Sequence, residues 1–157
     1  MSGTELRYVG SLTSALEYAK NGRIEEWIHE YLLSDGNNKA FSDGLSLQKR
    51  YYIGPVEFPT SLLCRCCGPE ENMRFRVNEG GFERKVLSLM SSISDGKDLP
   101  PIMVNFADGE LTLNDGNHRF EAYTRLGVNK CYAIIWMSSE GDVEAFAKKY
   151  KALYKIF

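Results

Sequence analysis

Residues 111–123 read Leu111-Thr-Leu-Asn-Asp-Gly-Asn-His-Arg-Phe-Glu-Ala-Tyr, and they are the most informative part of the chain. Its apolar and β-branched start predicts the end of a strand, and Asp115-Gly116 predicts a turn. Residues 120–126 predict a helix, with Gly127 as its C-terminal stop. A strand that turns straight into a helix points unpaired backbone N–H groups at one spot. The sequence therefore predicts a loop that binds anions.

The side chains of this loop are the types that phosphate sites use. Gly116 permits a positive φ angle or a close approach of the backbone to a ligand. His118 supplies a donor that titrates near neutral pH, and Arg119 supplies a permanent cation whose N–H fork suits phosphate oxygens. Asp115 could hold a metal ion or orient a hydroxyl group. The alternative is structural: Asp115-Gly116 is a turn, Asn117 caps the helix, and Arg119 pairs with a nearby acid.

Strand signals lie on both sides of the loop. Residues 102–106 and 110–113 are short apolar runs around Asp108-Gly109, which is a strong hairpin signal. Residues 131–137 are apolar enough to form a buried strand. These three segments predict a sheet that contains the loop at one of its ends.

Further elements precede and follow that sheet. Residues 51–59 are aromatic and β-branched with two prolines, which suits a short edge strand. Residues 64–81 read as a loop, and residues 82–93 carry apolar side chains at helical spacing. A capping box at Ser139-Glu-Gly-Asp142 predicts one more helix near the C-terminus.

The first fifty residues predict helices. Ser14-Ala-Leu-Glu17 is a capping box, and the apolar positions expected at helical spacing around it are Leu12, Leu16 and Ala19. A second helix is predicted by an apolar stripe made of Ile24, Trp27, Ile28, Tyr31 and Leu32. Trp27 is expected in the core, and His29, which falls off the stripe, is expected to face solvent.

The fold class predicted from these elements is α+β (mixed α/β), with helices packed on a small sheet. Residues 1–50 form a helical N-terminal extension, and residues 51–157 form the main domain. With 157 residues, the two parts are expected to make one compact unit.

Composition and charge narrow the function classes. The chain is 43% hydrophobic with a formal net charge of −2, so it lacks the basic balance typical of proteins that grip the DNA backbone. The longest apolar run, residues 131–137, is far shorter than the roughly 20 residues that cross a membrane. The N-terminus has no basic start followed by an apolar stretch, so a cytoplasmic protein is expected. DNA is disfavoured as a partner, and no membrane partner is expected.

The cysteines are expected to be reduced thiols. They are Cys64, Cys66, Cys67 and Cys131. The single Cys-x-x-Cys spacing lacks the second pair that a four-ligand zinc site usually has. We expect no metal site and no disulfide between Cys64 and Cys67.

Residues 56–136 resemble the ParB/sulfiredoxin superfamily. The resemblance rests on three motifs in the right order: Ser92-Ile-Ser-Asp-Gly96, Pro100-Pro-Ile-Met-Val104 and the box Asp115-Gly-Asn-His-Arg-Phe-Glu-Ala122. A hairpin stands between the last two, and Leu126-Gly127 and a final strand follow the box. The resemblance implies the small sheet with packed helices of that superfamily.

The resemblance also implies phosphate binding at the box. In sulfiredoxin the box reads Gly-Cys-His-Arg and holds ATP phosphates, and Gly116, His118 and Arg119 match it. The catalytic cysteine falls on Asn117, whose amide cannot form a thiolate, so sulfinate reduction is not expected. In ParB-like free-serine kinases the box begins with Asp-Gly, as here, and a catalytic Glu lies in the loop after the first strand. Glu70 and Glu71 occupy the equivalent region.

Two functions follow from the resemblance. The first is a phosphotransferase or nucleotide hydrolase that uses ATP or ADP with Mg²⁺ and acts on a small-molecule or protein acceptor. Its cofactor-binding residues would be Gly116, Asn117, His118 and Arg119, and its catalytic residues Asp115, His118, Glu70 and Glu71. The alternative is a non-catalytic ParB-like module, which uses the same pocket to sense a nucleotide or to bind DNA or a partner protein.

Overall fold

Residues 5–151 are described by a computed structural model, and in this range the chain forms six α-helices and six β-strands. The helices are α1 (Leu12–Lys20), α2 (Ile24–Leu33), α3 (Lys39–Leu45), α4 (Glu79–Ser94), α5 (Asn117–Arg125) and α6 (Glu140–Tyr150). The strands are β1 (Tyr51–Pro59), β2 (Cys67–Gly68), β3 (Phe75–Arg76), β4 (Ile102–Ala107), β5 (Glu110–Asp115) and β6 (Lys130–Met137). The predicted α+β fold is confirmed. None of the described helices has both the length and the apolar character needed to span a bilayer.

The central sheet has the strand order β1–β6–β4–β5. β4 and β5 form the predicted antiparallel hairpin, in which Val104 lies opposite Leu113. Asp108 and Gly109 make its turn in left-handed conformations, with φ angles of 52° and 81°. β4 and β6 pair in parallel, which requires a crossover connection, and α5 lies in that connection. β1 lies at the edge of the sheet, as its prolines predict, although its nine residues make it longer than expected.

The sheet is buried on both faces, each by different helices. Val104 lies in one core with Phe146 of α6, and Met103 lies in the other with Trp27 of α2. Successive residues of a strand point to opposite faces, so β4 contributes to both cores. The helices of the first fifty residues thus pack on one face of the sheet. Residues 152–157 of the predicted main domain lie outside the described residues.

The first helix begins earlier than predicted, and the residues that it buries differ from the predicted ones. Ser11 is the N-cap, and its hydroxyl accepts a hydrogen bond from the Ser14 N–H (3.1 Å). With this register Ala15 and Tyr18 are buried, whereas Leu16 is 37% exposed. The predicted capping box at Ser14 and the predicted apolar face were therefore wrong, because Ser11 offers the same hydroxyl three residues upstream.

The expectation for Trp27 is confirmed, and the one for His29 is wrong. Trp27 is fully buried, and its indole N–H donates to the Val9 carbonyl (3.0 Å). His29 is half-buried, with Nδ1 2.6 Å from the hydroxyl of Ser42. The cause is α3, a helix that the sequence analysis did not predict and that packs against α2.

Candidate functional site

The Asp-Gly box folds into the strand–turn–helix junction that the sequence predicts. β5 ends at Asp115, and Gly116 is the N-cap of α5 in a left-handed conformation (φ 95°, ψ 24°). A Cβ atom at Gly116 would lie 2.6 Å from Cγ2 of Ile102 and 2.9 Å from Nη2 of Arg119. Glycine is thus required here twice, for its backbone angle and for the space beside it.

Asn117 ties a second loop to the box. Its side chain is buried, and its Oδ1 accepts hydrogen bonds from the N–H groups of Cys66 (2.9 Å) and Cys67 (3.1 Å). Its Nδ2 donates to the carbonyl of Leu113 (3.3 Å). The helix cap is Gly116, so Asn117 is not the cap that the structural alternative assumed. The amide instead satisfies two backbone donors that would otherwise have no partner beside the box.

Arg119 lies beneath the box in a network with Asp115 and Tyr31. Its Nη2 donates to Oδ2 of Asp115 (3.1 Å) and to the carbonyl of Pro101 (3.2 Å). The Tyr31 hydroxyl donates to the same Oδ2 (2.9 Å), and burial raises the pKa of this phenol to about 12. The Arg119 guanidinium carbon stands 5.8 Å from the centre of the Tyr31 ring. Arg119 therefore pairs with a nearby acid, as the structural alternative held.

A pocket of about 480 Å³ opens above this network, a size in the range of small-molecule sites. Its lining residues are Asn38, Phe41, Cys66, Cys67, Arg74, Phe75, Lys85, Thr112, Asn114, Asp115, Gly116, Asn117 and His118. The predicted residues from Asp115 to His118 line the pocket together. Arg119 is not among the lining residues. Its guanidinium is therefore not placed to contact a ligand in the pocket.

His118 stands in the pocket wall, where its surroundings favour the neutral form of the imidazole. The ring is half-buried, with its centre 4.8 Å from that of the Phe82 ring on α4. Burial lowers the pKa of His118 below its usual value, and the charges of Lys85 and Arg119 lower it further. Protonation of His118 is thus disfavoured in the free protein, and an anion bound in the pocket would favour it.

Comparisons with known proteins point to one fold. No protein-family model matches the chain. A sulfiredoxin from Arabidopsis thaliana is 34% identical, covering 51% of this chain and 81% of its own, with a TM-score of 0.41. A C-terminally truncated chromosome-partitioning protein ParB from Caulobacter crescentus, complexed with CTP-gamma-S, is 20% identical over 63% of this chain and 53% of its own, with a TM-score of 0.41.

The curated relative is much longer than this chain. The BEACH domain-containing protein lvsE of Dictyostelium discoideum is 40% identical over 68 residues. That match covers 40% of this chain, and the chain spans only 3% of the length of that protein.

The order of elements agrees with the superfamily pattern. After β1 come α4, the β4–β5 hairpin, the box with α5, and β6, as the sequence resemblance predicts. This order of elements, together with 34% sequence identity to a sulfiredoxin of which 81% is covered, makes the fold ParB/sulfiredoxin-like. The thiol of Cys66 lies 3.9 Å from Nδ2 of Asn117.

Two cysteines, Cys66 and Cys67, line the pocket. The Cys66 thiol lies 2.8 Å from the Leu113 carbonyl, to which it donates. Burial raises the pKa of the Cys67 thiol, and it raises the pKa of the deeply buried Cys131 to about 12. All four cysteines are free, and within residues 5–151 no three His, Cys, Asp or Glu side chains are grouped so as to hold a metal ion.

Glu70 and Glu71, the predicted bases, are not among the residues that line the pocket. Glu70 accepts two hydrogen bonds from Arg65 (2.6 and 3.1 Å), which lower its pKa to about 2. A carboxylate of such low pKa is a poor general base near neutral pH. Glu71 is exposed on the same loop. Arg65 also binds Glu121 of α5 (3.0 Å), so this loop is held at the outer side of that helix.

Several pocket residues were missed by the sequence reasoning. Lys85 lies on α4 three residues after the buried Phe82, at the edge of the apolar face of that helix. Thr112 and Asn114 alternate with the buried Leu113 along β5. The period of two along the strand placed Thr112 and Asn114 on one face, and that signal was available. The contributions of Arg74, Phe75, Asn38 and Phe41 depend on long-range folding.

Proposed function

We propose that this ParB/sulfiredoxin-like protein binds a nucleotide, with the phosphates in the pocket at the start of α5. The observation that carries the proposal is the charge of the pocket wall. Arg74 and Lys85 line it as cations. Among the described residues its one carboxylate is Asp115, which is already bonded to Arg119 and Tyr31. An anionic ligand therefore meets cations and no free acid.

The backbone adds donors at the same place. The first helical hydrogen bond of α5 runs from the Phe120 N–H to the Gly116 carbonyl (2.8 Å). The N–H groups of residues 117–119 precede that bond, so they belong to the set that helices leave unpaired at their start. Together with the helix dipole, they favour phosphate oxygens beside His118.

The donor set does not fit a Mg²⁺ ion held by the protein. Such an ion takes oxygen ligands, usually including carboxylates, and the only carboxylate of the pocket wall already accepts from two side chains. No carboxylate free to act as a base lines the pocket either. We therefore propose binding without phosphate transfer as the function, which corresponds to a nucleotide-sensing module.

Replacing Lys85 by alanine is expected to weaken nucleotide binding about tenfold, because a charge-assisted contact to phosphate is lost. Titration calorimetry with ATP, GTP, CTP, UTP and inorganic tripolyphosphate measures the effect. Arg84→Ala is the matched control, since Arg84 is exposed on the same helix and does not line the pocket. Equal losses of affinity in both variants would mean that Lys85 acts only through the net charge of the protein and not by contact with the phosphates. Absence of binding by the unmodified protein to any of these probes would refute the proposed function.

The contribution of His118 is expected to depend on pH. Its pKa lies below 6.5 in the free protein, and a bound polyanion raises it, so binding takes up a proton as the pH falls through this range. Between pH 8 and pH 5.5, the affinity ratio of the unmodified protein to His118→Gln should grow about 3- to 10-fold. His29→Gln, at the other histidine of the chain, should leave the profile unchanged. A ratio that is constant with pH would exclude protonation of His118 on binding.

A further inference from the structure

The pocket has a second wall that carries no charge. It is made of Asn38 and Phe41 at the start of α3 and of Thr112 and Asn114 on β5. The cationic side chains, Lys85 and Arg74, come from α4 and from the segment just before β3. The two amides, the aromatic ring and the hydroxyl of this wall carry no charge with which to neutralise further phosphate groups. They suit an uncharged, planar part of the same ligand.

Phe41 is held in this wall by an aromatic neighbour. Its ring centre lies 5.8 Å from that of Trp136 on β6, at an interplanar angle of 55°. The Trp136 indole N–H in turn donates to Oδ1 of Asn114 (2.8 Å). Phe41 is half-buried and lines the pocket, so part of its ring surface remains open to a ligand. A supported ring of this kind is a platform on which a heteroaromatic base stacks.

The polar groups of the wall present hydrogen-bond donors. Oδ1 of Asn38 accepts from the Phe41 N–H (3.1 Å), and Oδ1 of Asn114 accepts from Trp136. Within residues 5–151, the Nδ2 groups of Asn38 and Asn114 have no hydrogen-bond partner, and the hydroxyl of Thr112 is also unused. Amide N–H groups recognise the ring nitrogens and carbonyl oxygens at the edge of a nucleobase.

We infer that α3 and β5 form a nucleobase subsite, in which a base stacks on Phe41 and accepts hydrogen bonds from Asn38 and Asn114. The inference rests on the proposed function, because the phosphates of the same ligand occupy the cationic wall. It gives the N-terminal helices a role in ligand choice as well as in burying one face of the sheet.

The test compares nucleoside triphosphates with inorganic tripolyphosphate, which has the charge but no base. The unmodified protein is expected to bind its preferred nucleoside triphosphate about tenfold more tightly than tripolyphosphate. In Phe41→Leu, which keeps the apolar contact with Trp136 but removes the aromatic face, this ratio should fall towards one. The affinity for tripolyphosphate should stay within twofold.

Two further variants locate the subsite. Asn38→Asp keeps an N-cap oxygen for α3 but replaces the Nδ2 donor with an acceptor, so it should also lower the ratio. Phe75→Ala removes an aromatic side chain from the opposite wall and should leave the ratio unchanged. Thermal melts of each variant confirm folding.

The outcomes separate the two proposals. If nucleoside triphosphates and tripolyphosphate bind equally to the unmodified protein, the phosphate site stands and the nucleobase subsite is refuted. If Phe75→Ala rather than Phe41→Leu abolishes the ratio, the base lies on the other wall, and the assignment to α3 is overturned. If no probe binds, both proposals fall.

Discussion

Arg119→Met is expected to lower the free energy of unfolding by about 3–5 kcal/mol, the cost typical of removing one member of a buried ion pair. The Arg119 and Asp115 side chains are only 12% and 14% exposed. Without the guanidinium, the Asp115 carboxylate keeps a single side-chain partner, Tyr31, and the Pro101 carbonyl loses its donor. Methionine retains much of the apolar stem, so the loss reports mainly on charge and hydrogen bonds.

Denaturant titration and thermal melting measure this change, which should lower Tm by roughly 10 °C for a domain of this size. Arg23→Met is the matched control, because Arg23 forms an exposed ion pair with Glu26 and should hardly matter. Adding Asp115→Asn to Arg119→Met should recover part of the loss, since the unpaired charge is then gone. Unchanged stability together with lost ligand affinity would instead make Arg119 a ligand contact, as the sequence comparison with sulfiredoxin implies.

Asn117→Ala is expected to lower the free energy of unfolding by about 2–4 kcal/mol. Its Oδ1 is the acceptor for the N–H groups of both Cys66 and Cys67, and each backbone donor left unpaired costs about 1–3 kcal/mol. The loop that carries these cysteines forms one wall of the pocket. Loss of the amide should therefore weaken ligand binding as well as folding.

Three measurements isolate this contribution. Asn117→Asp keeps the acceptor but loses the donor to Leu113, so it should destabilise less than Asn117→Ala. Asn72→Ala, in the exposed part of the same loop, serves as the control for changing an asparagine there. Alkylation of Cys67 by a thiol reagent should accelerate in Asn117→Ala. Equal stability of Asn117→Ala and the control would show that the loop is held by other contacts.

The local parts of the fold could be predicted from the sequence because their signals lie within a few residues. The β4–β5 hairpin follows from Asp108-Gly109 between two apolar runs, and the left-handed Gly116 follows from the box. The same locality explains the error at α1, where Ser11 and Ser14 present equivalent capping signals and Ser11 is the N-cap.

The site was predicted less completely because its contacts are long-range. His118 belongs to the box and lines the pocket, but nothing local in the sequence shows that Arg119 meets Tyr31 beneath the pocket. Nor does the chain near Asn117 show that its amide bonds to a loop 51 residues earlier. Glu70 was predicted as a base only because it lies in the loop after the first strand. Its ion pair with Arg65 depends on how that loop folds.

The hydrogen bond from Tyr31 to Asp115 has a kinetic consequence, because it joins residues 84 positions apart. Closing so long a loop costs chain entropy, and contacts of this kind form slowly compared with local ones. During refolding, the hairpin closes early, whereas the pocket floor is complete only after the N-terminal helices have docked. A ligand of the pocket is therefore expected to bind only the folded protein, and to slow unfolding without accelerating folding.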